Sequence, residues 1–185
     1  MIKRAFDIIF SITVLIILSP LFLLIALLIK LGSKGPVIFR HKRIGLNGKE
    51  FFVYKFRTMV ENAPKIGPGL TEKNDPRITD FGRFLRNSSI DELPQLINII
   101  KGEMSMVGPR PEIPEEVAKY SVFQKQVLKV KPGLTGLPQV NGRATLSIPK
   151  KLRLDVYYVN HQNFWLDIGI ILKTIIVVIT RKGAF

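Results

Sequence analysis

The sequence predicts an α/β fold of the α+β kind, mostly helical with a small β-hairpin, in which an N-terminal membrane helix precedes a compact cytosolic domain. Three observations predict this fold: an apolar run at residues 8–29, an Asn47-Gly48 turn between two apolar segments, and short helical segments separated by Pro and Gly. A chain of 185 residues has room for one such domain.

The apolar run at residues 8–29 forms the first predicted element, and as a straight helix it is about 33 Å long, enough to cross a bilayer. Lys and Arg flank it on both sides, so the charge rule places both ends in the cytoplasm. Pro20 predicts a kink, and the Ser19 hydroxyl can satisfy a carbonyl that the proline leaves free. A re-entrant segment and an ordinary kinked spanning helix both fit these residues.

A β-hairpin is the second predicted element. Residues 37–40 and 51–56 are its strands, and Asn47-Gly48 is its turn, because both residues accept a positive φ. Residues 61–79 are rich in Pro, Gly and charge, and they predict a long irregular loop.

Helices make up the rest of the predicted domain. Apolar spacing predicts helices over residues 81–85 and 93–100, with Gly102 ending the second one. Further helices are predicted over residues 115–129 and 150–161. An apolar segment at residues 168–179 is too short to span a bilayer, so it lies in the membrane interface or packs on the core.

Composition limits the chemistry. The chain has 28 Lys plus Arg against 14 Asp plus Glu, a net charge of +14, which favours nucleic acid, anionic lipid or phosphorylated small molecules as partners. Its hydrophobic fraction of 46% excludes a disordered chain. Without cysteine there is no disulfide scaffold and no thiolate site, and with two His an oxygen-ligated ion such as Mg²⁺ is a better candidate metal than zinc.

Two adjacent carboxylates, Asp91 and Glu92, are the first candidate for chemistry. Ser89 and Glu92 have the spacing of a capping box, and Pro94 suits a first helical turn, so the carboxylates are predicted at a helix N-terminus. Such a pair either caps the helix or holds Mg²⁺ against a diphosphate, with one carboxylate as nucleophile.

Cations on loops and one strand are the second candidate. Arg110 lies between Pro109 and Pro111, which gives it a stiff backbone suited to binding phosphate. Lys55 and Arg57 alternate along a predicted strand and share a face, either as ligands or as a solvated surface. A further Pro/Gly-rich loop could offer polar groups to a base or sugar, or could simply be a turn; its polar residues are Gln139, Asn141 and Arg143.

Eight collinear motifs give the chain a specific resemblance. They are KRAFD (3–7), SP (19–20), YKFRTM (54–59), DPRIT (75–79), SIDELPQL (89–96), MSMVGPRP (104–111), PGLTG (132–136) and QVNGR (139–143). Together they resemble the bacterial sugar transferases, or monotopic phosphoglycosyl transferases, which start polysaccharide and glycoconjugate assembly on a polyprenyl carrier.

The resemblance implies a two-step reaction and a set of roles. Asp91 attacks a UDP-sugar, releases UMP and holds the phosphosugar, which polyprenyl phosphate then accepts. Glu92 is its dyad partner, Mg²⁺ is a cofactor with Asp91 as ligand, and Arg110 and Lys55 bind phosphate. The remaining implied contacts are to the nucleotide sugar, through Arg57, Gln139, Asn141 and Arg143.

The resemblance also implies a location. Residues 1–33 are an anchor that enters one leaflet and turns back at Ser19-Pro20, and residues 34–185 are a cytosolic catalytic domain with an interfacial C-terminal helix. The enzyme then lies on the cytoplasmic face of the bacterial inner (plasma) membrane, as a monomer or homodimer, with UDP-sugar, polyprenyl phosphate and membrane lipids as partners. No nucleic-acid recognition motif is present in the sequence. The alternative function is a non-catalytic basic membrane scaffold or lipid-binding protein.

Overall fold

The computed structural model describes residues 2–66 and 75–180, apart from the side chains of residues 64 and 65. The fold is mostly helical with two small sheets, which confirms that part of the prediction. Its helices are α1 Ile2–Ile17, α2 Ser19–Gly32, α3 Ala63–Ile66, α4 Asp80–Asn87, α5 Leu96–Lys101, α6 Pro114–Val117, α7 Leu137–Val140, α8 Ile148–His161 and α9 Phe164–Thr180. Its strands are β1 Ile38–Ile44, β2 Glu50–Phe56, β3 Ser105–Val107 and β4 Gly133–Thr135.

The N-terminal apolar segment is broken into α1 and α2, which meet at an angle of 62°. Pro20 has no N–H to give to the carbonyl of Ile16, and the Ser19 hydroxyl donates to that oxygen at 2.8 Å instead. The predicted kink and the predicted hydrogen bond of the Ser19 hydroxyl to a free carbonyl are therefore confirmed. Within the described ranges no single helix is long and apolar enough to cross a bilayer, whereas the bent α1–α2 pair passes that test as a unit.

The start of α1 is fastened to the rest of the domain by its charged residues. The Arg4 guanidinium donates to the backbone oxygens of Ile99 at 2.5 Å and Ile100 at 2.9 Å, at the end of α5. The Asp7 carboxylate is buried and accepts from the Met106 N–H of β3 at 3.1 Å. The polar residues of the KRAFD motif thus hold α1 against the domain.

The β-hairpin forms as predicted, with β1 longer than expected. β1 and β2 pair antiparallel with His41 opposite Val53, and Asn47 and Gly48 have φ of 56° and 75° in the turn. The Asn98 side chain of α5 extends the hydrogen bonding of β2, since it accepts from Tyr54 N–H at 3.1 Å and donates to Phe52 O at 2.7 Å. The hairpin is therefore fixed to α5.

Two apolar clusters form the core. One joins α1, α5 and the parallel pair β3–β4 around the fully buried Ile99 and Met104, with Tyr158 of α8 and Ile170 of α9. The other packs Ile25 and Ile29 of α2 against Phe56 and Leu85. Both α1 and α2 thus pack against the rest of the chain, while the domain boundary predicted at residue 33 stays a prediction.

The prediction of one helix over residues 115–129 is wrong. α6 ends at Val117, and a 3₁₀ helix begins only at Gln124. Ser121 and Gln124 cap each other: the Ser121 N–H donates to Oε1 of Gln124 at 2.8 Å, and the Gln124 N–H donates to Oγ of Ser121 at 3.3 Å. This reciprocal capping starts a new helix and interrupts the predicted one.

The loop predicted over residues 61–79 is confirmed in part. It contains the short helix α3, and residues 67–74 lie outside the described chain. At its end Arg77 binds the Asp75 carboxylate through Nε at 2.9 Å and Nη2 at 2.6 Å, and both residues are buried. The DPRIT motif therefore contains a buried ion pair that shapes the approach to α4.

The C-terminal helices match the prediction, with α8 and α9 each a few residues longer than expected. α9 packs Ile170 into the core and exposes an apolar outer face. That face comprises Trp165, Leu172, Ile175, Ile176 and Ile179.

Candidate active site

Glu92 is the centre of an ion-pair cluster that joins three parts of the chain. Its carboxylate accepts two hydrogen bonds from the Arg110 guanidinium, at 2.7 and 3.3 Å, and one from Lys55 Nζ at 2.7 Å. Lys55 lies on β2, and Arg110 lies on the loop after β3. The structure thus brings together Glu92 and both cations that the sequence predicted as phosphate ligands.

The predicted capping box at Ser89 and Glu92 does not form. Ser89 has a φ of 58°, in the left-handed region, and its side chain makes no cap to the 3₁₀ helix Ile90–Gln95 that carries the carboxylates. Its hydroxyl accepts from Nη2 of Arg143 at 2.6 Å instead. Glu92 is engaged by two cations, which bind a carboxylate more strongly than one backbone N–H does.

Asp91 and Glu92 differ sharply in acidity. Burial and the negative charge of Glu92 raise the pKa of Asp91 to about 6, against the opposing positive charges of Lys55, Arg86 and Arg110. Burial also opposes ionisation of Glu92, but the charges of Arg110 and Lys55 outweigh it and hold that pKa well below its usual range. Near neutral pH, Glu92 is therefore a fixed anion and Asp91 is a mostly ionised, comparatively basic carboxylate.

Close backbone approach fixes the loop that carries Arg110. Gly108 donates to Thr135 O at 3.0 Å, and Gly133 donates to Pro109 O at 2.9 Å. A Cβ on Gly133 would lie 2.0 Å from the backbone nitrogen of Gly108, so a side chain there would separate the two segments. The glycines of two of the family motifs thus hold Arg110 beside Glu92.

Arg43 and His41 of β1 support this loop through Glu112, a residue of the loop itself, and none of the three was predicted from the sequence. Arg43 donates to the Glu112 carboxylate at 3.3 Å and to Nδ1 of His41 at 3.2 Å. Burial and the positive charges of Arg43 and Lys55 lower the pKa of His41 to about 4, so this ring is neutral at physiological pH. The basic run Arg40-His41-Lys42-Arg43 in β1 was the available signal.

Arg86 and Asp155 were also missed. Arg86 of α4 donates to Oγ1 of Thr58 at 2.8 Å, and its charge acts on Asp91. Asp155 of α8 is buried, and its Oδ1 has no hydrogen-bond partner among the described residues. Burial and the charge of Glu112 raise its pKa to about 8. No sequence motif distinguished either residue from an ordinary helix side chain.

The residues predicted to bind the nucleotide sugar fall into different places. Arg143 reaches the site through Ser89, and its Nη1 is buried without a partner within the described chain, as is Oε1 of Gln139. Asn141 is exposed and donates to Leu137 O at 2.9 Å, which closes a turn. Arg143 and Gln139 therefore offer unused polar atoms, whereas Asn141 does not.

Arg57 makes no hydrogen bond with Asp91 or Glu92. It is buried at the end of α2, where its guanidinium donates to the backbone oxygens of Ser33 at 2.8 Å and Ile29 at 3.4 Å, and to that of Lys34. Its predicted role toward the nucleotide sugar stays a prediction that these contacts do not support.

A magnesium ion is commonly held by one or two carboxylates together with substrate phosphates. Glu92 is already engaged by Lys55 and Arg110, which leaves Asp91 as the carboxylate of the pair that can ligate. Over residues 2–66 and 75–180 no group of three or more His, Asp or Glu could hold a metal. The site therefore fits an ion that substrate phosphates help to bind.

Comparison with known proteins identifies the family of this chain. The bacterial sugar transferase family model matches residues 1–181. The undecaprenyl-phosphate galactose phosphotransferase of Salmonella typhimurium is 44% identical over 99% of this chain and 41% of its own length. The exopolysaccharide production protein ExoY of Rhizobium meliloti is 42% identical over all of this chain and 88% of its own length.

A third relative is the UDP-glucose:undecaprenyl-phosphate glucose-1-phosphate transferase of Klebsiella pneumoniae, 45% identical over 99% of this chain and 41% of its own length. The chain thus spans less than half of two of these relatives and most of the third. Because the family model matches residues 1–181 of the 185, this chain belongs to the bacterial sugar transferase family.

Proposed function

We propose that this protein transfers a sugar-1-phosphate from a UDP-sugar to polyprenyl phosphate and so starts the assembly of a polysaccharide or glycoconjugate. The observation that carries the proposal is Asp91: a buried carboxylate of raised pKa next to an anion that two cations hold in place. A buried, basic carboxylate among cations is suited to nucleophilic attack on a phosphorus atom.

In the first step a carboxylate oxygen of Asp91 attacks the sugar-bearing phosphorus of the donor. A P–O bond to Asp91 forms, the P–O bond to the bridging oxygen breaks, and UMP leaves with the electron pair. Lys55 and Arg110 offset the charge of the diphosphate at this stage. The product is an aspartyl-phosphosugar on the protein.

In the second step a phosphate oxygen of polyprenyl phosphate attacks the same phosphorus. The new P–O bond gives the polyprenyl diphosphate sugar, and the electron pair of the breaking bond returns to the Asp91 carboxylate. The first step converts the Asp91 carboxylate into an acyl phosphate and the second returns it as a carboxylate, so neither step needs a proton donor or acceptor beside it.

Glu92 acts as a positioning residue rather than a proton carrier. Its lowered pKa keeps it ionised throughout the working pH range, and its hydrogen bonds hold Arg110 and Lys55 on one side of Asp91. Bound Mg²⁺, with Asp91 as its protein ligand, would supply further positive charge to the diphosphate.

The geometry of the bent helix pair supports a re-entrant insertion, and the Lys and Arg residues on both sides of it favour the cytoplasmic face. Arg4 and Asp7 fasten the beginning of α1 to the domain, and Arg57 fastens the end of α2 to it. Because both ends of the bent pair contact the same domain, both lie on one side of the bilayer. Polyprenyl phosphate can then stay in that leaflet while the nucleotide sugar arrives from solution.

The test is UMP release by the detergent-solubilised protein, given Mg²⁺, undecaprenyl phosphate and a panel of UDP-sugars. The panel includes UDP-galactose and UDP-glucose, because the named relatives of similar identity differ in these sugars. We expect release with one or more donors and its loss in Asp91→Asn. If the folded wild-type protein releases no UMP from any UDP-sugar of the panel, the result would instead favour a membrane scaffold.

A further inference from the structure

An exposed aromatic ring of the β-hairpin lies next to the ion-pair cluster. Phe39 of β1 is 40% exposed and stands directly opposite Lys55 of β2. Side chains directly opposite each other in an antiparallel pair project from the same face, with Cβ atoms about 4.5–5.5 Å apart. Phe39 therefore flanks the lysine that donates to Glu92 at 2.7 Å.

This face of the hairpin points away from the membrane helix α2. Ile38 and its partner Phe56 project from the other face, where they pack with the apolar cluster that contains Ile29 of α2. Because successive residues of a strand alternate between faces, Phe39 and Lys55 lie on the side opposite to that cluster. The ring of Phe39 is thus turned towards the catalytic groups rather than towards the helix that would enter the bilayer.

A histidine with an uncommitted N–H lies beside the ring. His41 shares the face of Phe39, and the two ring centroids are 5.5 Å apart. Nδ1 of His41 accepts from Arg43, which can only donate, so the proton of this neutral ring is on Nε2. Nε2 makes no hydrogen bond within residues 2–66 and 75–180, although the charge of Glu115 acts on the ring. It is a donor that a ligand can use.

An aromatic face and an N–H donor beside two phosphate-binding cations fit the chemistry of a nucleoside diphosphate. Planar bases stack on aromatic side chains whatever the base, because every base has a π-face. The edge of uracil adds carbonyl oxygens that accept hydrogen bonds. None of the residues that the sequence predicted to bind the nucleotide sugar is aromatic, so the base has no stacking partner among them.

We propose that Phe39 and His41 form the binding subsite for the base of the UDP-sugar. The uracil ring stacks on Phe39, and one of its carbonyl oxygens accepts from Nε2 of His41. The α-phosphate then lies at Lys55, and the sugar-bearing β-phosphate lies by Arg110 within reach of Asp91. The inference rests on the proposed function and adds to it the residues that recognise the nucleotide.

Equilibrium dialysis of labelled UDP against the detergent-solubilised protein with Mg²⁺ tests this subsite without requiring turnover. Phe39→Ala should raise the Kd for UDP at least about tenfold, equivalent to about 1.4 kcal/mol, because the stacking surface is lost. Phe39→Tyr keeps the ring and should bind UDP like the wild type. Phe39→Leu, apolar but without a ring, replaces Phe39→Ala if the alanine variant fails to fold. An unchanged Kd in the folded ring-less variant would overturn the assignment.

Phe52→Ala is the matched control. Phe52 is 49% exposed and stands opposite Lys42 on the other face of the same hairpin, so its removal should leave UDP binding unchanged. Inorganic pyrophosphate has no base, and it should displace labelled UDP with the same inhibition constant in the wild type and in Phe39→Ala. An equal loss of pyrophosphate affinity would show that the ring only supports Lys55, and would overturn the role in binding the base.

His41→Phe tests the hydrogen bond separately, since it keeps a ring and removes the N–H. The Kd for UDP should rise about three- to tenfold, the usual worth of one hydrogen bond, while pyrophosphate affinity stays at the wild-type value. An unchanged Kd for UDP in this variant would contradict the hydrogen bond from His41.

Steady-state kinetics separates the nucleotide from the lipid acceptor as the group that Phe39 contacts. In Phe39→Ala we expect a raised KM for the UDP-sugar and a wild-type KM for undecaprenyl phosphate, and the reverse pattern would overturn the assignment. A wild-type protein that binds UDP through Phe39 but releases no UMP from any donor would contradict the proposed function and support the base subsite.

Discussion

Asp91→Asn should stabilise the folded protein at about pH 8, although it removes the proposed nucleophile. The Asp91 carboxylate is 7% exposed, and its pKa rises from the ordinary 3.8 to about 6, mainly because burial disfavours the charged form. Asparagine has nearly the same shape and is never charged. The substitution therefore removes a buried charge without leaving a cavity.

The expected size of the effect follows from the pKa. Each tenfold change in an ionisation equilibrium is worth about 1.4 kcal/mol, so a rise to about 6 costs about 3 kcal/mol of folding free energy once Asp91 is fully ionised. A raised carboxyl pKa destabilises the fold above the folded pKa, and this cost vanishes below the unfolded pKa. The advantage of asparagine should thus be full at about pH 8 and almost absent at about pH 3.

Thermal unfolding in detergent, followed by circular dichroism, measures this difference. About 3 kcal/mol corresponds to a Tm increase of about 6–12 °C for a chain of this size. Equal or lower stability of Asp91→Asn at about pH 8, with correctly folded protein, would refute the assignment of a strained, buried carboxylate.

Glu92→Gln is the matched control, and its expected effect on the stability of the fold is opposite to that of Asp91→Asn. The pKa of Glu92 is lowered by its bonds with Arg110 and Lys55, so its ionised form stabilises the fold. This stabilisation is present above the ordinary carboxyl pKa and is lost as the pH falls through the lowered value. The Gln variant should therefore have a lower Tm than the wild type at about pH 8.

Three further predictions concern activity and topology. Single-turnover UMP release should rise about tenfold between about pH 5 and pH 7 and then level off, because the ionised form of Asp91 reacts; a flat profile would contradict this role. Arg110→Lys should lower kcat/KM about ten- to hundredfold in steady-state assays, because lysine cannot make the two hydrogen bonds that the Arg110 guanidinium donates to Glu92. An unchanged kcat/KM would contradict a phosphate-binding role of Arg110. Pro20→Ala should restore the bond to Ile16 O and straighten the bent helix pair, so that a cysteine at residue 2, which the proposed topology places in the cytoplasm, becomes partly reachable from the periplasm. Labelling like that of the wild type would show that the bend does not depend on this proline.

Features set by local backbone chemistry could be predicted from the sequence. Pro20 and Ser19 predicted the break and its hydroxyl bond, and Asn47-Gly48 predicted the hairpin turn. Gly102, with a φ of 85°, ends α5 as expected. Each of these depends on one or two residues whose conformational preferences are strong.

Features set by competition between distant groups could not be predicted from the sequence. The Ser89 and Glu92 spacing predicted a capping box, yet Arg143 takes the hydroxyl and two distant cations take the carboxylate. Arg57 follows a strand face that includes Lys55, but it binds the end of α2 because the anchor packs there. Such outcomes depend on the tertiary arrangement that brings the competing partners together.

Intact-protein mass spectrometry tests the central claim most directly. The protein is mixed with Mg²⁺ and its UDP-sugar donor in the absence of polyprenyl phosphate, and is then quenched and digested for peptide mapping. The account predicts a mass increase of one phosphosugar located on Asp91, which disappears when undecaprenyl phosphate is added and never forms in Asp91→Asn. Lipid product formed at full rate without any labelled protein, or a label on a residue other than Asp91, would contradict it.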